Sequence, residues 1–114
     1  MKNLQITAYM QHFIRQQVMP GDICIDATMG NGNDTALLSQ LAGKRGRVLA
    51  FDIQKQALEH TKERLKRDNC PENYQLLLES HENMDVYAEE ETVSCITFNP
   101  VSYTHLTLPT ILRV

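Results

Sequence analysis

An α/β fold with a parallel sheet is predicted by three observations. Two short apolar runs end in a carboxylate, Ile23–Ile25 before Asp26 and Arg47-Val-Leu-Ala-Phe51 before Asp52. The first run is followed by a loop with two spaced glycines, Gly30 and Gly32. The stretches after each run carry apolar residues at helical spacing. Strand, tight glycine loop, helix and return strand make a β-α-β unit, which holds nucleotides at the carboxyl edge of its sheet.

Taken in order, Leu4 to Val18 place Ile6, Met10, Phe13, Ile14 and Val18 on one helical face, and Pro20-Gly21 ends that helix. The first strand, Ile23–Ile25, is short, apolar and bounded by turn residues. Thr35 to Leu41 is a helix with Leu37, Leu38 and Leu41 inward, closed by a turn between Gly43 and Gly46. Arg47–Asp52 is the second strand. Gln54 to Arg67 forms a helix with Ala57, Leu58, Thr61 and Leu65 inward and Lys55, Lys62, Arg64, Lys66 and Arg67 outward, a solvated basic face. Asn69-Cys-Pro71 breaks that helix. Tyr74–Glu79 is a third strand, and Met84 to Tyr87 starts a short helix. Thr92–Phe98, rich in β-branched residues, is a fourth strand that delivers Asn99 to the carboxyl edge.

The glycine loop carries the chemistry. Its glycines let the backbone approach a ligand without a Cβ in the way. Thr28, Asn31, Asn33, Asp34 and Thr35 add polar groups around a helix N-terminus, where N–H groups lack intrahelical acceptors. A dinucleotide fingerprint, G-x-G-x-x-G, needs a third glycine where Thr35 stands. The carboxylate of Asp26 also opposes a pyrophosphate and suits the ammonium and sulfonium of S-adenosylmethionine. Asp52, at the end of the second strand, is placed to accept hydrogen bonds from a ribose diol. Both cofactors carry a ribose, so Asp52 supports the pocket without choosing between them. Ile53 and Gln54 follow it, and His81, Asn83 and Met84 sit after the third strand, beside an expected adenine. A dinucleotide-dependent oxidoreductase remains the alternative reading.

Composition bounds the rest. The 114 residues make at most one domain, and the formal net charge of −3 does not advertise nucleic-acid binding. Cys24, Cys70 and Cys95 are widely spaced and read as reduced thiols of a cytoplasmic protein. His12, His60, His81 and His105 share no metal-ligand spacing with them, so no metal site is expected, and no run is long enough for a membrane helix.

Ile25-Asp-Ala-Thr-Met-Gly-Asn-Gly-Asn-Asp-Thr35, Phe51-Asp-Ile-Gln54, Thr61-Lys-Glu-Arg-Leu65, Ser80-His81 and Phe98-Asn99 together resemble the bacterial rRNA methylase family. Its characterised members methylate the 5-aminomethyl group of a 2-thiouridine at the tRNA wobble position. The resemblance covers about residues 10–99. It implies a Rossmann-like class I methyltransferase fold with sheet order 3-2-1-4, here truncated after the fourth strand. It also implies S-adenosylmethionine as cofactor and a tRNA anticodon loop as substrate. Cofactor-binding roles fall on Asp26, Thr28, Gly30, Asn31, Gly32, Asn33, Asp34, Thr35, Asp52, Ile53, Gln54 and His81. The implied mechanism is direct attack of an unprotonated amine on the sulfonium methyl, with Asn99 as the catalytic residue that orients the amine.

After Asn99 the sequence leaves the family pattern. The family continues with a Gly-rich loop and further strands, whereas Pro100–Val114 is Thr-rich and holds no carboxylate. Residues 1–99 are therefore expected to be the cofactor-binding half of a methyltransferase domain, and 100–114 a non-native tail that is loosely packed or added to the sheet as a strand. Tyr103–Leu108 has the alternation for the latter. The chain alone is expected to be catalytically inactive. A pseudoenzyme that only binds cofactor is the other alternative.

Overall fold

The structure, a computed structural model, describes residues 3–87, 93–98 and 110–113. Helix α1 (Asn3–Gln17) leads into strand β1 (Ile23–Asp26) and helix α2 (Asn33–Ala42). Strand β2 (Arg47–Asp52), helix α3 (Lys55–Arg67) and strand β3 (Tyr74–Leu78) come next. A single 3₁₀ turn (His81–Asn83) then runs into α4 (Met84–Tyr87), before β4 (Cys95–Phe98) and β5 (Thr110–Arg113). The sheet order is β3-β2-β1-β4-β5, the expected 3-2-1-4 arrangement with one strand added.

The first four strands are parallel, with Asp26 beside Ala50 and Thr97, and Asp52 beside Leu78. The two central strands are buried on both faces, which is why Cys24–Ile25 and Val48–Phe51 are apolar without alternation. Period-two alternation divides each strand between the faces. Cys24, Val48 and Cys95 meet Met10 and Ile14 of α1, Val18 just after it, and Leu37, Leu38 and Ala42 of α2. Ala50 meets Met29 and Ala57, flanked by Leu58 and Leu76. On the opposite face, Ile25, Leu49 and Phe51 pack with Val93, Met84 and Tyr87. No helix among the described residues is long and apolar enough to cross a membrane.

Strand β5 runs antiparallel to β4, with Phe98 opposite Thr110 and Cys95 opposite Arg113. The tail thus adds a strand to the edge of β4, as one of the two sequence expectations had it. The alternating segment Tyr103–Leu108, expected to supply that strand, lies outside the described residues; the pairing falls on Thr110–Arg113.

Gly32 fixes how the two helices after β1 and β2 meet. It caps α2 in the left-handed region, with φ at 87°. A Cβ there would lie 2.8 Å from the backbone Cα of Thr61 in α3. The close helix approach that a dinucleotide fingerprint assigns to its third glycine is made here by the second one. Gly32→Ala is therefore expected to destabilise the chain by roughly 1–3 kcal/mol, through combined backbone strain and overpacking. Urea unfolding of the purified variant measures it, and an unchanged midpoint would show that α2 and α3 do not meet as described.

Candidate functional site

Three strand ends and the loops after them enclose a cleft of about 520 Å³ at the carboxyl edge of the sheet. The loop after β1 contributes Ala27, Thr28, Gly30 and Asn31. The end of β2 and the start of α3 contribute Asp52, Ile53, Gln54, Gln56, Ala57 and His60. Glu79, Ser80 and His81 complete the wall after β3.

Asp52 ties these pieces together. One carboxylate oxygen accepts the N–H of Gly30 at 3.1 Å, and the other accepts the N–H of Gln54 at 2.9 Å. The same loop is held by the Met29 N–H donating to the Phe51 carbonyl at 2.8 Å and by the Thr61 hydroxyl donating to the Gly30 carbonyl at 3.4 Å. Each carboxylate oxygen has two lone-pair sites. Both oxygens of Asp52 thus keep acceptor capacity beyond these bonds, enough for the two hydroxyls of a ribose. Beside it, Ile53 is 74% exposed at the cleft wall, an apolar surface suited to the face of a planar base.

Beyond β3, the wall is held from the other face of the sheet. The Tyr87 hydroxyl of α4 donates to the Glu79 carboxylate. Ser80 caps the 3₁₀ turn by accepting the Glu82 N–H at 3.2 Å. The His81 ring stands edge-on to Phe98, with centroids 5.6 Å apart, so the ends of β3 and β4 meet above the sheet. Asn99 comes directly after Phe98, but it lies outside the described residues.

Of the residues singled out from the sequence, Thr28, Gly30, Asn31, Asp52, Ile53, Gln54 and His81 share the cleft wall. Asp26, Gly32, Asn33, Asp34 and Thr35 do not line it. Asp26 is fully buried beneath the loop, where it accepts the Thr35 hydroxyl at 2.6 Å and the Thr28 N–H at 3.3 Å. Its burial raises its pKa to about 7; the neighbouring Asp34 adds to the rise, while the Thr35 and Thr28 hydrogen bonds oppose it. Asp34, also buried, is raised by desolvation. The expectation that a negative Asp26 repels a pyrophosphate therefore loses its footing, because burial disfavours the charge on which it depended. Thr35, the apparent defect in the glycine pattern, is the hydrogen-bond donor for this buried carboxyl.

At the start of α2, Asn31 accepts the Asn33 N–H at 3.1 Å, which folds the loop over the helix end. The Asn33 side-chain carbonyl oxygen is buried and has no hydrogen-bond partner among the described residues. Such an acceptor is costly to leave unpaired, although it lies off the cleft wall. Sequence reasoning did not assign the cleft positions of Gln56 and His60. Their i, i+4 spacing at the start of a helix that begins just after Asp52 was the available signal.

Residues 48–101 match the family described as "Putative rRNA methylase". A chloroplastic tRNA (mnm(5)s(2)U34)-methyltransferase of Arabidopsis thaliana is 36% identical over 101 residues, covering 77% of this chain and 36% of that protein. The solved "putative rRNA-methylase" of Clostridium thermocellum is 40% identical with a TM-score of 0.70, covering 78% of this chain and 49% of that one. A "putative methyltransferase" of Streptococcus mutans, solved in complex with SAH, is 36% identical with a TM-score of 0.74, covering 96% of this chain and 58% of that one. The fold is thus the Rossmann-like fold of S-adenosylmethionine-dependent methyltransferases. Within it, the chain is similar to the rRNA methylase family. It spans about half the length of the solved relatives, at 49% and 58%.

The buried Asp26 makes a testable pH dependence. Its carboxyl ionises near pH 3.8 in the unfolded chain and near 7 in the folded one. Between those values the folded state holds a proton that the unfolded state has lost, so this group's contribution to stability falls as pH rises from 3.8 to 7. Asp26→Asn removes that slope while adding a pH-independent change from altered hydrogen bonding. Unfolding free energies measured across this range should fall less steeply with pH in the variant than in the parent. Parallel curves would mean that Asp26 titrates as an ordinary carboxylate.

Proposed function

We propose that this chain is the cofactor-binding part of an S-adenosylmethionine-dependent RNA methyltransferase whose acceptor is the 5-aminomethyl group of a tRNA wobble 2-thiouridine. The observation that carries the cofactor reading is Asp52, held between the Gly30 and Gln54 N–H groups at a cleft that also presents an exposed Ile53. The substrate reading is supported by the printed activity of the plant relative and by the family match.

In this reading Asp52 accepts the ribose hydroxyls, Ile53 packs on the adenine, and Gln54 and His81 meet the base edge. Gly30 and Asn31 bring backbone close to the amino-acid end. S-adenosylmethionine supplies an electrophilic methyl group on its sulfonium. The protein's part is to hold donor and acceptor in line and to keep water from the amine. Asn99 orients that amine through its side-chain carbonyl. Asp26 acts through Thr35 and Thr28, by holding the glycine loop, and does not touch the cofactor. Wobble bases sit in a single-stranded loop, where a base is accessible without opening a helix.

Two measurements test the reading. S-adenosylhomocysteine should raise the melting temperature of the chain and NAD should not; the reverse would favour the oxidoreductase alternative. Asp52→Ala should weaken S-adenosylhomocysteine binding by about 1.5–3 kcal/mol, the scale of a lost hydrogen bond to a charged group. Calorimetry reads the loss, and equal affinity in parent and variant would remove Asp52 from the site.

A further inference from the structure

The outward face of α1 has a composition unlike the rest of the chain. All 14 Asp and Glu residues occur at or after Asp22, so no carboxylate precedes it in the sequence. On α1 the inward stripe is Met10 and Ile14, continued by Val18 just after the helix, and it enters the core. The opposite side presents Tyr9, His12 and Gln16, with Arg15 also exposed. Tyr9 is 65% exposed although it is one of the larger aromatic side chains. Its ring packs edge-on to Phe13 at 4.7 Å between centroids, and Phe13 in turn meets the His12 ring at 6.2 Å. Three contiguous rings with a guanidinium on the same helix thus stand on the surface.

We propose that this face of α1 is a docking surface for single-stranded RNA, on which unstacked bases pack against Tyr9 and His12 while Arg15 meets the phosphate backbone. The occupant is set by charge and by ring geometry. A polyanion meets no carboxylate on this helix and finds Arg15 there. The edge-on Phe13 props the Tyr9 ring, which leaves a face for a base; aromatic faces and guanidinium planes are what loop bases stack on. The inward stripe of the same helix packs on α2, the helix that begins at the glycine loop, so RNA on the outward face of α1 lies over the layer that carries that loop's helix. A second copy of this chain is the less suitable occupant, because a self-complementary patch would bring Arg15 and His12 against their own counterparts.

The test uses the 114-residue chain with a fluorescent RNA hairpin carrying a single-stranded loop, and the same strand annealed to its complement as control. Tyr9→Ala places a good helix former at an exposed site, so its fold is retained. It should weaken hairpin binding at least about fivefold, the lower end of the loss per stacked base. Tyr9→Phe should bind as the parent does, and the annealed duplex should be bound equally by parent and Tyr9→Ala. Arg15→Gln should lower the slope of log affinity against log salt by about 0.7, one phosphate contact on a single strand. Hairpin affinity within about twofold in Tyr9→Ala, no hairpin binding by the parent, or Tyr9-dependent dimerisation in sedimentation would each overturn the proposal. The melting shift with S-adenosylhomocysteine, taken on the same samples, keeps the outcomes apart. Its presence with no RNA effect sinks the docking surface alone, and its absence sinks the cofactor reading alone.

Discussion

A single carboxylate, Asp52, is the constraint on which the site depends. It ends β2 and takes N–H groups from both sides, Gly30 of the loop after β1 and Gln54 at the start of α3. The loop is thereby tied to a strand that is not its own, 22 residues away in sequence. Two neutral N–H groups on a carboxylate are charge-assisted bonds, stronger than bonds between neutral partners. They hold the loop without filling the carboxylate's acceptor capacity. The group that shapes the cleft is thus also available to its ligand.

A second carboxyl acts from below and in a different state. Asp26 is sealed under the loop, bound to Thr35 and Thr28, and burial lifts its pKa to about 7. The two carboxylates occupy equivalent places at the ends of neighbouring strands, yet one faces the cleft and the other does not. The path of the chain after each carboxylate makes the difference. After Asp26 the chain turns over it, and Thr35 of α2 closes against it; after Asp52 the chain leads directly into α3. With Gly32 pressed against Thr61, the loop is fixed from the side as well. These contacts build the cleft at the carboxyl edge of the sheet.

Much of this was legible in the sequence because the central strands are buried on both faces. Arg47–Asp52 is apolar from Val48 to Phe51 on both alternating sets, and its bounds in the sequence are the observed ones. Asp52 and Gly30 were legible as a pair because strand, three-turn helix and return strand fix their spacing. The pairing of Asp26 with Thr35 was not, since a threonine in a glycine position reads first as a broken motif. Gln56 and His60 reach the cleft because α3 starts immediately after Asp52, a placement that periodicity does not report. The register of the last strand was also hidden. Alternation favoured Tyr103–Leu108, whereas pairing with β4 falls on Thr110–Arg113, and a polar, Thr-rich stretch fixes register weakly.

The central claim is that the carboxyl-edge cleft built on Asp52 is the S-adenosylmethionine site. The most direct measurement is a backbone amide NMR titration of the chain with S-adenosylhomocysteine. The largest shifts are expected at Gly30, Asn31, Ile53, Gln54, Ser80 and His81, with little change at the opposite edge around Gly43 to Arg47 and Cys70 to Asn73. Shifts centred on that opposite edge, or none at saturating ligand, would contradict the account.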